Sequence, residues 1–220
     1  MQGGVPSEEM TDRRRFITYL ETLEGKRSPF LVQLEEDARK SGIPIIRRDT
    51  QRLMRTLLSL HQPGTILEIG TAVGFSSVFF CEYSSAKVVT IENYGKRIPV
   101  AKENIRLSGY EGRITLLEGD AELILPELSG PFDMIFLDAA QGQYIRFLPQ
   151  LRRLLRKGGL LITDNVLIGG DLLESHYAVP RRKRTIHRRM REYLRAITDE
   201  AEFDTAVLTT GDGLAVTVKK

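Results

Sequence analysis

Five short apolar runs, TILEIG, AKVVTIE, RITLLEG, FDMIFLD and GLLITDN, lie along residues 65–165 with stretches of helical periodicity between them. Strands that follow one another in parallel need a crossover, and a helix is the usual one. The alternation therefore predicts a parallel sheet covered by helices on both faces. The last two runs break the rhythm. EFDTAVLTT and LAVTVKK are separated only by GDG, which predicts an antiparallel hairpin at the sheet's edge. Three helical patterns precede the first strand. One is capped by Ser7 and carries Phe16, Ile17, Leu20 and Leu23 at helical spacing; PFLVQLEEDARKSG is closed by Gly42; DTQRLMRTLLSLH follows IPII. The expected fold class is α/β, a mostly parallel seven-stranded sheet with an antiparallel C-terminal hairpin and extra N-terminal helices. With no repeat and no linker to divide it, the chain reads as a single domain, 1–220, with N-terminal helices over 1–62 and an α/β core over 63–220.

Several classes of protein are disfavoured by what the chain lacks. No apolar run approaches the length that crosses a bilayer, and MQGGVPSEEMTDRRRF has no apolar stretch able to act as a signal, so a cytoplasmic protein without a membrane partner is expected. The one cysteine, Cys81, has no partner for a disulfide and sits in the apolar SSVFFCEY, which reads as a buried structural thiol. His61, His176 and His187 show no metal-ligand spacing. The net charge of +3 is mild, but RRKRTIHRRMR packs seven Arg or Lys into residues 181–191. Such a cluster marks either an anionic partner or a solvated helical face.

The turn after the first strand, LEIGTAVGFSS, offers Gly70 and Gly74 but not the third glycine of a dinucleotide fingerprint. Such glycines can also serve a tight turn for steric reasons alone. Glu68 beside the turn would repel a pyrophosphate, whereas it could hold an ammonium, and Ser76 could meet the carboxylate of the same amino-acid group. The second strand ends in Glu92, where a carboxylate chelates ribose hydroxyls. The third ends in Gly119-Asp120-Ala121, placed for an adenine edge. Methionine, ribose and base addressed by successive strand ends favour S-adenosylmethionine over a nicotinamide cofactor.

Asp138 closes the fourth strand, and Asp164 and Asn165 close the fifth. Neighbouring parallel strands end side by side, so these oxygen ligands can converge on a hard cation, Mg²⁺ first, with Mn²⁺ or Ca²⁺ as alternatives. Each has a second reading: an aspartate at a strand end can cap the next helix, and Asp-Asn is a common turn pair.

The joint occurrence of LEIGTAVGFSS, IE, EGDA, FLDAA, TDN and GDGLAV resembles the cation-dependent O-methyltransferases, the family of catechol and caffeoyl-coenzyme A methyltransferases, over nearly the whole chain. The resemblance implies a Rossmann-like S-adenosylmethionine-dependent methyltransferase fold and a homodimer. It makes Asp138, Asp164 and Asn165 metal ligands, and has Glu68, Gly70, Ser76, Glu92, Asp120, Ala121 and Asp138 line the cofactor with Ile46 covering it. Many members carry a lysine base three residues after the first metal aspartate, and here that position is Gln141. A neutral amide cannot take a proton in the same way, so Asp138 and Gln141 are expected at the reaction centre with Gln141 positioning the acceptor.

Within that family, DAAQGQY and PRRKRTIHRRMREY look most like the bacterial branch that methylates 5-hydroxyuridine at the wobble position of tRNA. This implies that Arg181, Arg182, Lys183, Arg184, Arg188 and Arg189 grip the anticodon arm. Two alternatives stay open: a small-molecule phenol or catechol methyltransferase, and an RNA-binding protein that no longer catalyses.

Overall fold

A computed structural model describes residues 15–220 apart from 17, 21, 24, 26, 176 and 200. The cap expected at Ser7 and the apolar Ile17 lie outside the described residues, as does His176. Helix α1 (Pro29–Lys40) starts where Ser28 Oγ accepts from Leu31 N, with proline in its first turn. Helix α2 (Arg48–His61) buries Thr50, Gln51, Met54 and Leu58, a spacing that follows one helical face. Then come β1 (Thr65–Ile69), α3 (Phe75–Tyr83), β2 (Lys87–Glu92), α4 (Ile98–Ser108), β3 (Ile114–Glu118), α5 (Ala121–Glu127), β4 (Phe132–Leu137) and α6 (Tyr144–Leu154). The chain finishes with β5 (Leu155–Thr163), α7 (Arg184–Ile197), β6 (Phe203–Leu208) and β7 (Leu214–Lys219).

The seven strands form one sheet in the order β3-β2-β1-β4-β5-β7-β6. The pairs from β3 to β5 are parallel, and β7 runs antiparallel to both β5 and β6. The hairpin therefore lies at the edge as expected, with β7 inserted between β5 and β6. Strand β5 begins at Leu155 rather than at the expected Gly159. Arg156 Nε donates to Asp133 Oδ1 at 2.6 Å, and a register shift between Phe132 and Met134 takes up the extra residues. The basic helix opens with a 3-10 turn, Arg181–Lys183, before α7.

Strand residues alternate between two cores. Leu67, Ile69, Ile135, Leu137 and Leu161 pack with Tyr144, Phe147 and Tyr193 of α6 and α7. Ile66, Met134, Phe136 and Ile162 pack with Leu31, Met54 and Phe80 of α1, α2 and α3. Phe80 meets Phe136 edge-on with centroids 5.3 Å apart. Cys81 lies buried on α3 beside them, and burial pushes its thiol up to about 11. Among the described residues no helix is long and apolar enough to cross a membrane.

Candidate active site

Register sets the site. Ile69 pairs with Leu137 and Leu137 with Thr163, so the residues that follow, Gly70, Asp138 and Asp164, stand abreast at the carboxyl ends of β1, β4 and β5. Backbone bonds continue the ladder one step further: Asp138 N to Ile69 O and Asp164 N to Leu137 O, both 3.0 Å. The order reverses between β1 and β4, the place where open α/β sheets leave a crevice. A cavity of about 690 Å³ occupies it.

The cavity gathers most of the residues expected from the sequence: Gly70, Glu92, Asp120, Ala121, Asp138, Gln141, Asp164 and Asn165 all line it. Gly70 has φ 103°, and a Cβ there would stand 2.0 Å from the carbonyl oxygen of Asp138. Only glycine fits, on both counts. The Glu92 carboxylate accepts from the backbone N–H of Ala72 at 2.7 Å, Tyr94 at 2.8 Å and Asn93 at 3.0 Å, so it shapes the glycine turn as well as facing the cavity. Asp120 caps α5 through Glu122 N at 2.8 Å.

Three expected cofactor residues are placed elsewhere. Glu68 is fully buried beneath the turn, where Ser77 and Thr90 donate to its Oε2, the latter at 2.5 Å. Burial pushes its carboxyl upward, against the hydrogen bonds from Ser76, Ser77 and Thr90. Glu68 and Ser76 thus face each other inside the fold, and neither lines the cavity. Ile46 is buried in the core with α1 and α2, and its neighbour Ile45 lines the cavity instead.

Asp138, Asp164 and Asn165 do come together. Asn165 Nδ2 donates to Asp138 Oδ1 at 2.8 Å, and Asn165 N donates to Asp164 Oδ1 at 2.8 Å. Asn165 adopts φ 62°, a left-handed conformation that asparagine tolerates better than most residues. Gln141 Nε2 holds it there through a 2.8 Å bond to its carbonyl. Burial pushes Asp138 up to about 6 and, with the Asp138 charge added, Asp164 up to about 7. Two crowded carboxylates with an amide oxygen beside them are a donor set that a hard divalent cation fits, since the cation offsets the charge that burial disfavours. Among the described residues no group of three or more His, Cys, Asp or Glu gathers to hold a metal; the third member here is an amide.

Three residues at the site are given no role by the sequence reading. Tyr144 donates to the carbonyls of Ala139 and Asp164, both at 3.2 Å, and ties the ends of β4 and β5 together. Arg47 and Asp212 line the cavity and form an ion pair at 2.8 Å, bidentate on the carboxylate. Asp212 belongs to the GDG turn, whose sequence assigns the aspartate no part in the site. The aspartate also borders a second chamber of about 400 Å³ with Gln141, Asn165, Lys183, Ile186 and His187.

The basic segment is divided in its work. Arg184, Arg189 and Arg191 donate to backbone carbonyls of Val179, Gly142 and Leu172, Lys183 pairs with Asp171, and Arg188 pairs with Glu192. Among the described residues Arg181 and Arg182 are exposed and have no partner.

The family described as O-methyltransferase matches residues 22–220. The chain belongs to that family. A catechol O-methyltransferase of Niastella koreensis is 31% identical over 74% of this chain and 77% of its own. Caffeoyl-CoA O-methyltransferase 1 of Eucalyptus globulus is 29% identical over 76% of this chain and 72% of its own. Among solved structures, the SAH-bound Podospora anserina methyltransferase PaMTH1 superposes with a TM-score of 0.84 at 25% identity, covering 100% of both chains. The mixed seven-stranded sheet with its antiparallel C-terminal hairpin is the methyltransferase architecture, as the sequence motifs implied.

Proposed function

We propose that this chain is an S-adenosylmethionine- and divalent-cation-dependent O-methyltransferase whose acceptor is 5-hydroxyuridine at the wobble position of tRNA. The observation that carries the acceptor is the second chamber. It joins Gln141 and Asn165 to the start of the basic helix, and Arg181 and Arg182, exposed and without a partner among the described residues, belong to the same turn as the Lys183 that lines it.

S-adenosylmethionine supplies the methyl group, and the cavity has the room and the polar groups to hold it, with Glu92 at the ribose and Asp120 and Ala121 at the base. A cation held by Asp138, Asp164 and Asn165 favours the ionised acceptor oxygen when bound. The chain's own contribution is geometric. Gln141 braces Asn165, Tyr144 fixes the two strand ends, and the Arg47–Asp212 pair joins the N-terminal segment to the hairpin beside the cavity. Holding acceptor oxygen, methyl carbon and sulfur in line supplies much of the rate in such transfers. An enol-like hydroxyl is more acidic than an alcohol, which reduces the need for a lysine base at position 141, and bulk water can accept its proton. A second copy of the chain is part of this reading, supported by Phe16, Tyr19 and Leu23, which are 67%, 60% and 61% exposed.

The test is nucleoside mass spectrometry of tRNA from cells lacking the gene, with 5-hydroxyuridine expected in place of its methylated product. Chelation should abolish transfer in vitro, and Mg²⁺ or Mn²⁺ should restore it. A catechol or other small phenol is the second reading, favoured by the named relatives and by Ile168 and Ile186 in the chamber. An unchanged nucleoside profile with ready methylation of catechol would establish it instead.

A further inference from the structure

Between β5 and α7 the chain leaves the sheet as an irregular loop with a 3-10 turn at Ile168–Leu173. Basic side chains from the next segment hold this loop by its backbone. Arg184 donates to the carbonyls of Val179 at 3.0 Å and Tyr177 at 3.1 Å. Arg191 donates to those of Leu172 at 2.8 Å and Glu174 at 3.0 Å. Lys183 reaches Asp171 at 2.6 Å, and the His187 ring meets the Glu174 carbonyl at 3.2 Å. Charge-assisted bonds of this kind fix a backbone firmly. Yet the loop so fixed displays Leu173 and Tyr177, 86% and 84% exposed, the two most exposed large apolar side chains of the described residues. Apolar groups shown to water on a backbone anchored at Leu172, Glu174, Tyr177 and Val179 are preorganised for a partner.

The neighbours state what chemistry that partner has. Arg181 and Arg182 follow within a few residues, exposed and without partners among the described residues, while the acidic Asp171 is already paired. The same loop and turn border the chamber at Gln141 and Asn165 through Ile168, Asp171 and Lys183. Cations for phosphate beside an aromatic face for a base are the two requirements of unpaired RNA. A second copy docking here would bring like charges together.

We infer that Tyr177, with Leu173 beside it in the loop, forms a stacking platform for an unpaired nucleotide next to the one being modified, while Arg181 and Arg182 take its phosphates. This inference rests on the tRNA reading of the acceptor and deepens it.

The experiment measures binding of a synthetic anticodon stem-loop RNA carrying 5-hydroxyuridine at the wobble position to the full chain and to Tyr177→Ala, Tyr177→Phe, Leu173→Ala and the Arg181→Ala/Arg182→Ala pair, over a salt series. Tyr177→Ala should weaken binding about tenfold, within what removing a base–aromatic stack costs, and leave the salt slope unchanged. Tyr177→Phe should bind within about twofold of the parent because it keeps the ring. Leu173→Ala should weaken binding less than Tyr177→Ala does. The arginine pair should flatten the slope by nearly one unit for each phosphate no longer neutralised. SAH affinity should stay constant throughout and shows that each variant is folded. Parent-like RNA binding by Tyr177→Ala would overturn the platform and leave the tRNA reading standing. A parent protein with no affinity for the RNA would overturn both. If Tyr177→Ala instead lost binding to vesicles containing anionic lipid with RNA affinity intact, the loop would be a membrane-surface contact and the inference would fall.

Discussion

Gln141 donates its side-chain amide to the backbone carbonyl of Asn165 at 2.8 Å. The position where a lysine base would stand in many relatives is thus given to holding a left-handed residue whose own amide reaches Asp138. Its contribution is to the shape of the proposed cation site. Gln141→Ala should weaken Mn²⁺ binding by about 0.5–1.5 kcal/mol, the usual worth of one hydrogen bond, while SAH affinity is retained. Calorimetry with each ligand separates the two. Equal Mn²⁺ affinity in variant and parent would show that Asn165 needs no brace.

Gly70 should tolerate no side chain. Gly70→Ala forces a Cβ against the Asp138 carbonyl at φ 103°, and strain at one such position costs about 1–3 kcal/mol before any clash is counted. Urea denaturation should show the loss, and SAH binding should fall further than stability does because β1 and β4 must separate at the cavity. Gly74→Ala is the control. It is also left-handed, but the nearest atom to a Cβ there is 3.5 Å away, so its cost should be strain alone.

Glu92 serves both the Ala72 turn and the cavity. Glu92→Ala should reduce SAH affinity by about 1.5–3 kcal/mol if charge-assisted bonds to ribose are lost. It should also lower thermal stability, since the N–H groups of Ala72, Asn93 and Tyr94 lose their acceptor. Glu92→Gln keeps an acceptor and should recover more of the stability than of the affinity.

Cys81 gives a pH dependence with a definite sign. Burial raises its thiol to about 11 in the folded chain, above the unfolded value of about 8.5. The stabilisation tied to the protonated thiol is complete below the unfolded value and is lost as pH climbs through the folded one. The stability difference between parent and Cys81→Ala should therefore be flat at neutral pH and shrink only between about pH 8.5 and about pH 11. At neutral pH, thiol reagents should label the parent only on unfolding. Rapid labelling of native protein would contradict the burial.

The strands and their order of chemistry were legible because each is a short apolar run whose last residue reaches the rim. That rule places Gly70, Glu92, Asp120, Asp138, Asp164 and Asn165 at the rim, and all six line the cavity. The same rule brings Glu68 to the rim, whereas the structure buries it beneath the turn, off the cavity lining. A carboxylate one residue inside a strand end looks available, and what removes it are hydroxyls from α3 and β2 that become neighbours only in the folded sheet. The start of β5 was missed because Arg156-Lys157-Gly158-Gly159 has the composition of a loop, and only pairing along β4 and the bond to Asp133 hold it extended. The density of RRKRTIHRRMR was plain, but the sequence could not show that Arg184, Arg189 and Arg191 are committed to carbonyls.

The clasp between the N-terminal segment and the GDG turn joins residues separated by 165 positions in Arg47–Asp212 and by 162 in Asp49–Gly211. A ribosome releases the two sides of it far apart in synthesis. Strands β1 to β5 can assemble earlier, but β5 then has an unpaired edge until β7 slots in beside it. A chain that stops short of β7 is left with neither a finished ligand cavity nor a protected sheet, and such fragments should be met by chaperones or proteases rather than persist as a weaker enzyme.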